Sequence, residues 1–190
     1  MKNLIVLLLI VPYTTFSQMK QITNDKFIDL LNPERKIGLN NWNIVNDDVM
    51  GGISTSNLSL SKENNLIFNG YLSLDNNGGF ASSRHNFYKE TLNGVKSFRI
   101  KFRGDGNTYK LRLRQSNRRA SYSCDFKSVK DQWVEIDLDI NDFKPYWRGY
   151  SYNNYPALDT NEINSLGIQI SDRQEGEFKL EIKYIKGIYY

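Results

Sequence analysis

The chain has one cysteine, Cys124, and one histidine, His85, in 190 residues. A single cysteine excludes an intramolecular disulfide and a thiolate metal cluster, and a single histidine obliges any histidine-based triad to use His85. Cys124 stands two residues from Tyr122 and two from Phe126, the setting of a small buried residue more than of a nucleophile. His85 follows Ala81-Ser82-Ser83-Arg84 in an alternating run with no nucleophile-elbow signature nearby, so it reads as a surface or rim residue. Helical periodicity is almost absent, which argues against an α-helical or α/β class.

Charge of one sign is lacking as well. The chain carries 25 basic and 21 acidic residues. Arg112, Arg114, Arg118 and Arg119 are followed closely by Asp125, Asp131, Glu135 and Asp137, which is the pattern of a solvated rim and not of a nucleic-acid-binding stripe. The apolar run Leu4 to Val11 has eight residues, whereas a membrane-spanning helix needs about 20. With Lys2 before it and Thr15 and Ser17 ahead of Gln18, it reads as a cleavable secretory signal peptide over residues 1–17. No cysteine follows the run, so no lipoprotein anchor is expected. The expectation is a secreted or periplasmic chain, with one domain over 18–190 and no transmembrane segment once the leader is removed.

What is present is a succession of short alternating runs. Phe98, Ile100 and Phe102 oppose Arg99, Lys101 and Arg103; Leu111 and Leu113 oppose Lys110, Arg112 and Arg114; Leu166, Ile168 and Ile170 oppose Gly167, Gln169 and Ser171. Period-two alternation of this kind gives each strand one core face and one wet face. Strands are expected over 27–31, 42–45, 53–60, 66–74, 79–87, 95–103, 109–115, 120–126, 133–139, 166–171 and 178–190. With turn signals between them, they predict an all-β antiparallel sandwich without internal repeat or linker.

Two stretches stand out: Asn46-Asp47-Asp48-Val49-Met50-Gly51-Gly52, and Leu72-Ser73-Leu74-Asp75-Asn76-Asn77-Gly78-Gly79-Phe80-Ala81-Ser82. Each joins a β-prone run to paired glycines, which permit positive φ and close chain approach. Asp47, Asp48, Asn76 and Asn77 read as turn-capping residues beside Gly51, Gly52, Gly78 and Gly79. In wording these stretches resemble the complex I intermediate-associated protein 30 family. The likeness continues through Gly104-Asp105-Gly106-Asn107-Thr108-Tyr109, Trp133-Val134-Glu135-Ile136, Leu166-Gly167-Ile168-Gln169-Ile170-Ser171-Asp172 and Phe178-Lys179-Leu180-Glu181-Ile182. The resemblance implies a galactose-binding-like jelly roll related in fold to family 11 carbohydrate-binding modules. It also implies a non-catalytic binding or chaperone-like assembly role, as for the mitochondrial members that help build respiratory complex I. The leader of this chain is not an Arg-rich transit sequence, so that role is expected outside the mitochondrial matrix.

Two constellations are candidates for binding. Arg84, Lys110, Arg112, Arg114, Gln169 and Ser171, with Asp172, fall on the polar side of their strands. They form either a concave face suited to bidentate hydrogen bonds or an internal lattice with Glu135, Asp137 and Asp172. The run Pro145 to Pro156, bounded by Pro and Gly, holds Trp147, Tyr150, Tyr152 and Tyr155; it is either an aromatic lip for a ligand or a plug folded over one end of the sandwich. The expected partner is a protein or a glycan. A stand-alone carbohydrate-binding module is the alternative, and a glycosidase-like enzyme, which needs two facing carboxylates such as Asp47 and Asp172, comes third. No cofactor is expected. The metal content is open, a structural calcium ion being conceivable at Asp105-Gly106-Asn107 or Asp47-Asp48.

Overall fold

The structure, a computed structural model, describes residues 26–147 and 149–189; the expected signal peptide lies outside them. Two antiparallel sheets stack face to face. One is six-stranded, built from β1 (Lys26–Leu31), β3 (Thr55–Leu60), β4 (Leu66–Leu72), β6 (Ser97–Gly104), β9 (Trp133–Asp139) and β13 (Gly176–Tyr189). The other is seven-stranded, in the order β11 (Tyr150–Ser151), β10 (Lys144–Trp147), β8 (Ser121–Lys127), β7 (Thr108–Gln115), β12 (Ile163–Ile170), β5 (Ala81–Asn86), β2 (Trp42–Ile44). The expected sandwich is the observed one. Among the described residues no helix is long and apolar enough to cross a membrane.

The alternation read from sequence sets which face is buried. Phe98, Ile100 and Phe102 on β6 and Leu180 and Ile182 on β13 are fully buried against Tyr109, Leu111, Leu113, Leu166, Ile168 and Ile170 from the opposite sheet. Phe102 meets Phe126 edge-on at 4.8 Å between centroids, pinning one sheet to the other. Each such side chain contributes about 1.5–3 kcal/mol through burial alone. Cys124 lies on this inner side in register with Leu111 and is partly buried; burial, then the nearby Asp142 and Asp125, push its thiol up to about 11. It is a packing residue.

Three expected strands are shorter than their β-prone runs, and the hallmark stretches explain all three. The run 66–74 stops at Leu72 and the run 79–87 starts at Ala81, because Asp75–Asn77 form a 3-10 turn with Asn76 and Asn77 at φ 54° and 59°. The run 53–60 starts only at Thr55, after a second 3-10 turn over Asp47–Met50 that ends on Gly51 at φ 91°. One carboxylate ties these turns together. Asp47, fully buried, accepts hydrogen bonds from Ser54 N (2.9 Å), Ser54 Oγ (2.5 Å), Gly79 N (2.7 Å) and Phe80 N (3.3 Å). Glycine is required on either side of it: a Cβ on Gly52 would lie 2.4 Å from Asp47 Cγ, and one on Gly78 would lie 2.7 Å from Asp47 Oδ2. Asp48 is exposed and lends only its carbonyl to Gly51 N at 3.1 Å.

Candidate functional site

Register on the seven-stranded sheet arranges the outward polar side chains in rows, since directly paired residues share a face. Lys110 pairs with Asp125 on one side and Gln169 on the other. The next row is Ser123, Arg112, Gly167, Arg84 and Asn43, and the row after it is Ser121, Arg114 and Ser165. Above these rows lies a cleft of about 490 Å³. Lys110, Arg112, Arg114, Ser121, Ser123 and Gln169 make its floor; Met50 and Gly78 to Phe80, from the hallmark turns, line it together with Tyr146, Trp147 and Arg119. Ser171 and Asp172 also line it, with Ser171 Oγ donating to Asp172 Oδ1 at 3.2 Å. The Asp47 network therefore holds part of the cleft in place from beneath.

The floor is electrostatically uneven. Lys110 Nζ is paired twice, with Asp125 at 2.8 Å and Asp172 at 2.7 Å. Arg112 donates to Gln169 Oε1 at 2.7 Å and to the Ser121 hydroxyl, and has no carboxylate partner among the described residues. Burial, then the positive charges of Arg84 and Arg114, bring its guanidinium down to about 10. Arg84 is likewise lowered by burial and by Arg114. The alternative, a lattice with Glu135, Asp137 and Asp172, forms only in part. Glu135 and Asp137 sit on β9 of the other sheet, facing Lys101 and Arg99, and of the three only Asp172 reaches the polar face, where Asp125 joins it on Lys110.

The aromatic run is not one lip. It folds as a hairpin, β10 and β11, with Tyr146 opposite Ser151 and Trp147 opposite Tyr150, and β10 extends the sheet beside β8. Trp147 reaches the cleft, where Arg119 lies over its ring at 5.4 Å. The three tyrosines do not line it. Tyr155 packs on the core and against Tyr122 at 6.1 Å, and its hydroxyl accepts from Ala120 N at 3.2 Å; the Tyr152 ring lies tilted against Tyr155 at 5.7 Å, and Tyr150 is exposed. The run thus divides between the two alternatives. Sequence pattern missed Tyr146, Ser121 and Ser123, whose facing emerges only once β8 is placed next to β7 and β10.

Other sequence candidates stand apart from the cleft. His85 is buried, not on the surface: its ring lies 5.3 Å from Trp42, and its Nδ1–H donates to Asn40 O at 2.8 Å. Burial lowers its pKa below the usual 6.5, the Asn40 bond partly opposing. It lines a separate hollow of about 550 Å³ with Leu30, Gly38, Phe87 and Tyr88. Asp47 cannot face Asp172 as a catalytic partner, because both its oxygens are engaged beneath the cleft. Asp105 is similarly occupied, accepting from Asn107 N, Tyr109 Oη and Lys179 N. Among the described residues no group of three or more His, Cys, Asp or Glu side chains is arranged to hold a metal.

Residues 29–182 match the family model for complex I intermediate-associated protein 30 (CIA30). The chain belongs to the CIA30 family. Known structures place this CIA30 domain by fold. It is similar to the family 11 carbohydrate-binding module of the cellulosomal cellulase Lic26A-Cel5E of Clostridium thermocellum, at 14% identity and TM-score 0.63, over 87% of this chain and 95% of that one. A family 11 module from Clostridium thermocellum in complex with a β-1,3-1,4-mixed-linked tetrasaccharide gives TM-score 0.61 at 14% identity, with the same coverage of 87% and 95%. The agarase AgWH50C gives TM-score 0.58 at 11% identity, over 85% of this chain but only 24% of the enzyme. Among curated proteins, none matches the sequence. At these identities the likeness shows the fold alone.

Proposed function

We propose that this CIA30-family domain is an exported, non-catalytic binding module that holds a glycan along the cleft of its seven-stranded sheet. The observation that carries the reading is the composition of that cleft. Guanidinium, ammonium, amide and hydroxyl groups form its floor, and Trp147 is among its lining residues. Arginine forks and amides suit vicinal hydroxyls, and an aromatic edge suits the C–H face of a sugar. The volume is within the 300–1,000 Å³ usual for ligand sites. Structures of like fold that are named carbohydrate-binding modules, one of them holding a tetrasaccharide, support the same reading. Catalysis is not part of it, since Asp47 is engaged by four donors and Asp172 is paired with Lys110.

Calorimetry of the mature chain against a panel of neutral and acidic oligosaccharides tests the proposal. At least one glycan should bind, and Trp147→Ala should weaken it about 10-fold through loss of one ring–sugar contact. Silence across the panel would remove the glycan reading. A protein partner is the second reading, favoured by Val49 and Met50, which are 68% and 61% exposed in the hallmark turn at the cleft. The family description points the same way, toward an assembly intermediate.

A further inference from the structure

The outward cations of β6 and those beneath the cleft are partnered differently. On β6, Arg99 faces Asp137 at 2.7 Å, Lys101 faces Glu135 at 3.9 Å and Arg103 faces Glu181 at 2.7 Å, every partner coming from a neighbouring strand. On the cleft side Lys110 has two carboxylates, whereas Arg84, Arg112 and Arg114 have none within ion-pair distance among the described residues. They are close enough that Arg114 weakens the hold of Arg84 on its proton, and Arg84 and Arg114 together weaken that of Arg112. Like-charged groups held together with little water cost stability unless something compensates them.

The ground between them is shaped. Gly167 pairs with Arg112 on one side and Arg84 on the other and puts no side chain between them; a Cβ there would meet Ser83 O at 2.5 Å. A hollow of about 10 Å³ remains, bordered by Arg84, Arg112, Arg114, Gly167 and the serines Ser82, Ser83 and Ser165, and it shares Arg112 and Arg114 with the cleft. Ser165, paired with Arg114, is 3% exposed and its hydroxyl has no hydrogen-bond partner. A buried hydroxyl left unpaired costs about 1–3 kcal/mol. The hollow has room for roughly one oxygen atom. Positively charged donors dominate its lining: three guanidinium forks, beside serines whose hydroxyls can donate or accept. The complement of such a lining is a group that only accepts and is negative, with its bulk remaining in the cleft.

We propose that the glycan held in the cleft is acidic, and that the Arg84–Arg112–Arg114 hollow seats the oxyanion borne by one sugar ring, a uronate carboxylate or a sulfate ester. This rests on the glycan reading and narrows it. Arginine recognises either oxyanion through paired N–H groups.

The test compares oligogalacturonate with its methyl ester, and a sulfated galactan oligosaccharide with its desulfated parent, by calorimetry at 0.15 M salt. A charged chain should bind about 30-fold more tightly than its uncharged counterpart, equivalent to one well-placed charge-assisted pair. Preference within either pair sustains the proposal, and the larger preference assigns the oxyanion. Arg84→Gln should collapse that preference to within about threefold, and Ser165→Ala, which removes only an unpartnered hydroxyl, should reduce it without loss of stability. Lys183→Gln, the same charge change at an exposed position of β13, should leave it intact. Equal binding of charged and uncharged chains overturns the proposal while the glycan reading stands. An equal effect of Lys183→Gln and Arg84→Gln also overturns it, showing general attraction of polyanions to a basic protein. No binding by any of the four chains also overturns it, and the wider oligosaccharide panel then decides the glycan reading on its own.

Discussion

Asp47→Ala is expected to destabilise the domain by about 3–5 kcal/mol, a large share of the stability of a single domain. The loss is expected because four donors, three backbone N–H groups and one hydroxyl, converge on this buried carboxylate and would be left without an acceptor. Burial by itself raises the carboxyl, but the Ser54 hydroxyl and the N–H groups of Gly79, Ser54 and Phe80 outweigh it and hold Asp47 below its usual 3.8. Its stabilisation is therefore present above the unfolded value and is lost as pH falls through the lower folded one. Asp47→Asn keeps the shape but turns an N–H₂ toward groups that are themselves donors, so it should lose about 2–3 kcal/mol at pH 7 and a smaller amount in acid. Urea unfolding of the three proteins at pH 7 and pH 4 checks this. Equal midpoints at pH 7 would show that the turns are held by something else.

Arg112→Met should act in the opposite sense on stability and strongly on binding. Methionine fills much the same length beneath the cleft without a charge, and it relieves repulsion from Arg84 and Arg114. Gln169 and Ser121 lose a donor but line the open cleft, where water replaces it. The variant should be as stable as the parent or up to about 2 kcal/mol more so. Glycan affinity should fall by about 100-fold, because the central fork of the floor is gone. A site residue whose removal leaves the fold intact or firmer is the mark of a group kept for binding. Denaturation and calorimetry on the same preparation give both numbers. A destabilised variant with unchanged binding would make Arg112 a structural residue.

Much of this was legible in the chain itself. Alternation on β6, β7 and β12 located the core and put Arg112, Arg114, Gln169 and Lys110 on one polar face. The paired glycines of the hallmark stretches pointed to close approach, and Gly52 and Gly78 make way for one carboxylate. Two things were hidden. Periodicity tells which face a residue takes but not which strand lies beside it, so Lys110 had no visible route to Asp125, and Glu135 and Asp137 looked available to arginines that they never meet. The dense aromatics and Pro145 of β10 concealed a hairpin, because ring-rich sequence reads equally well as a loop. The solitude of Arg84, Arg112 and Arg114 is a property of sheet order, not of pattern.

The central claim is that the cleft over β7, β8 and β12 is the working face of the domain. A ¹⁵N NMR titration with oligogalacturonate, following backbone amides and arginine Nε–H signals, tests it most directly. The account predicts that shifts gather at Arg84, Arg112, Arg114, Gln169 and the Trp147 indole, with the ladder of Arg99, Lys101 and Arg103 undisturbed. Shifts confined to that ladder, or a spectrum unmoved at saturating ligand, would contradict it.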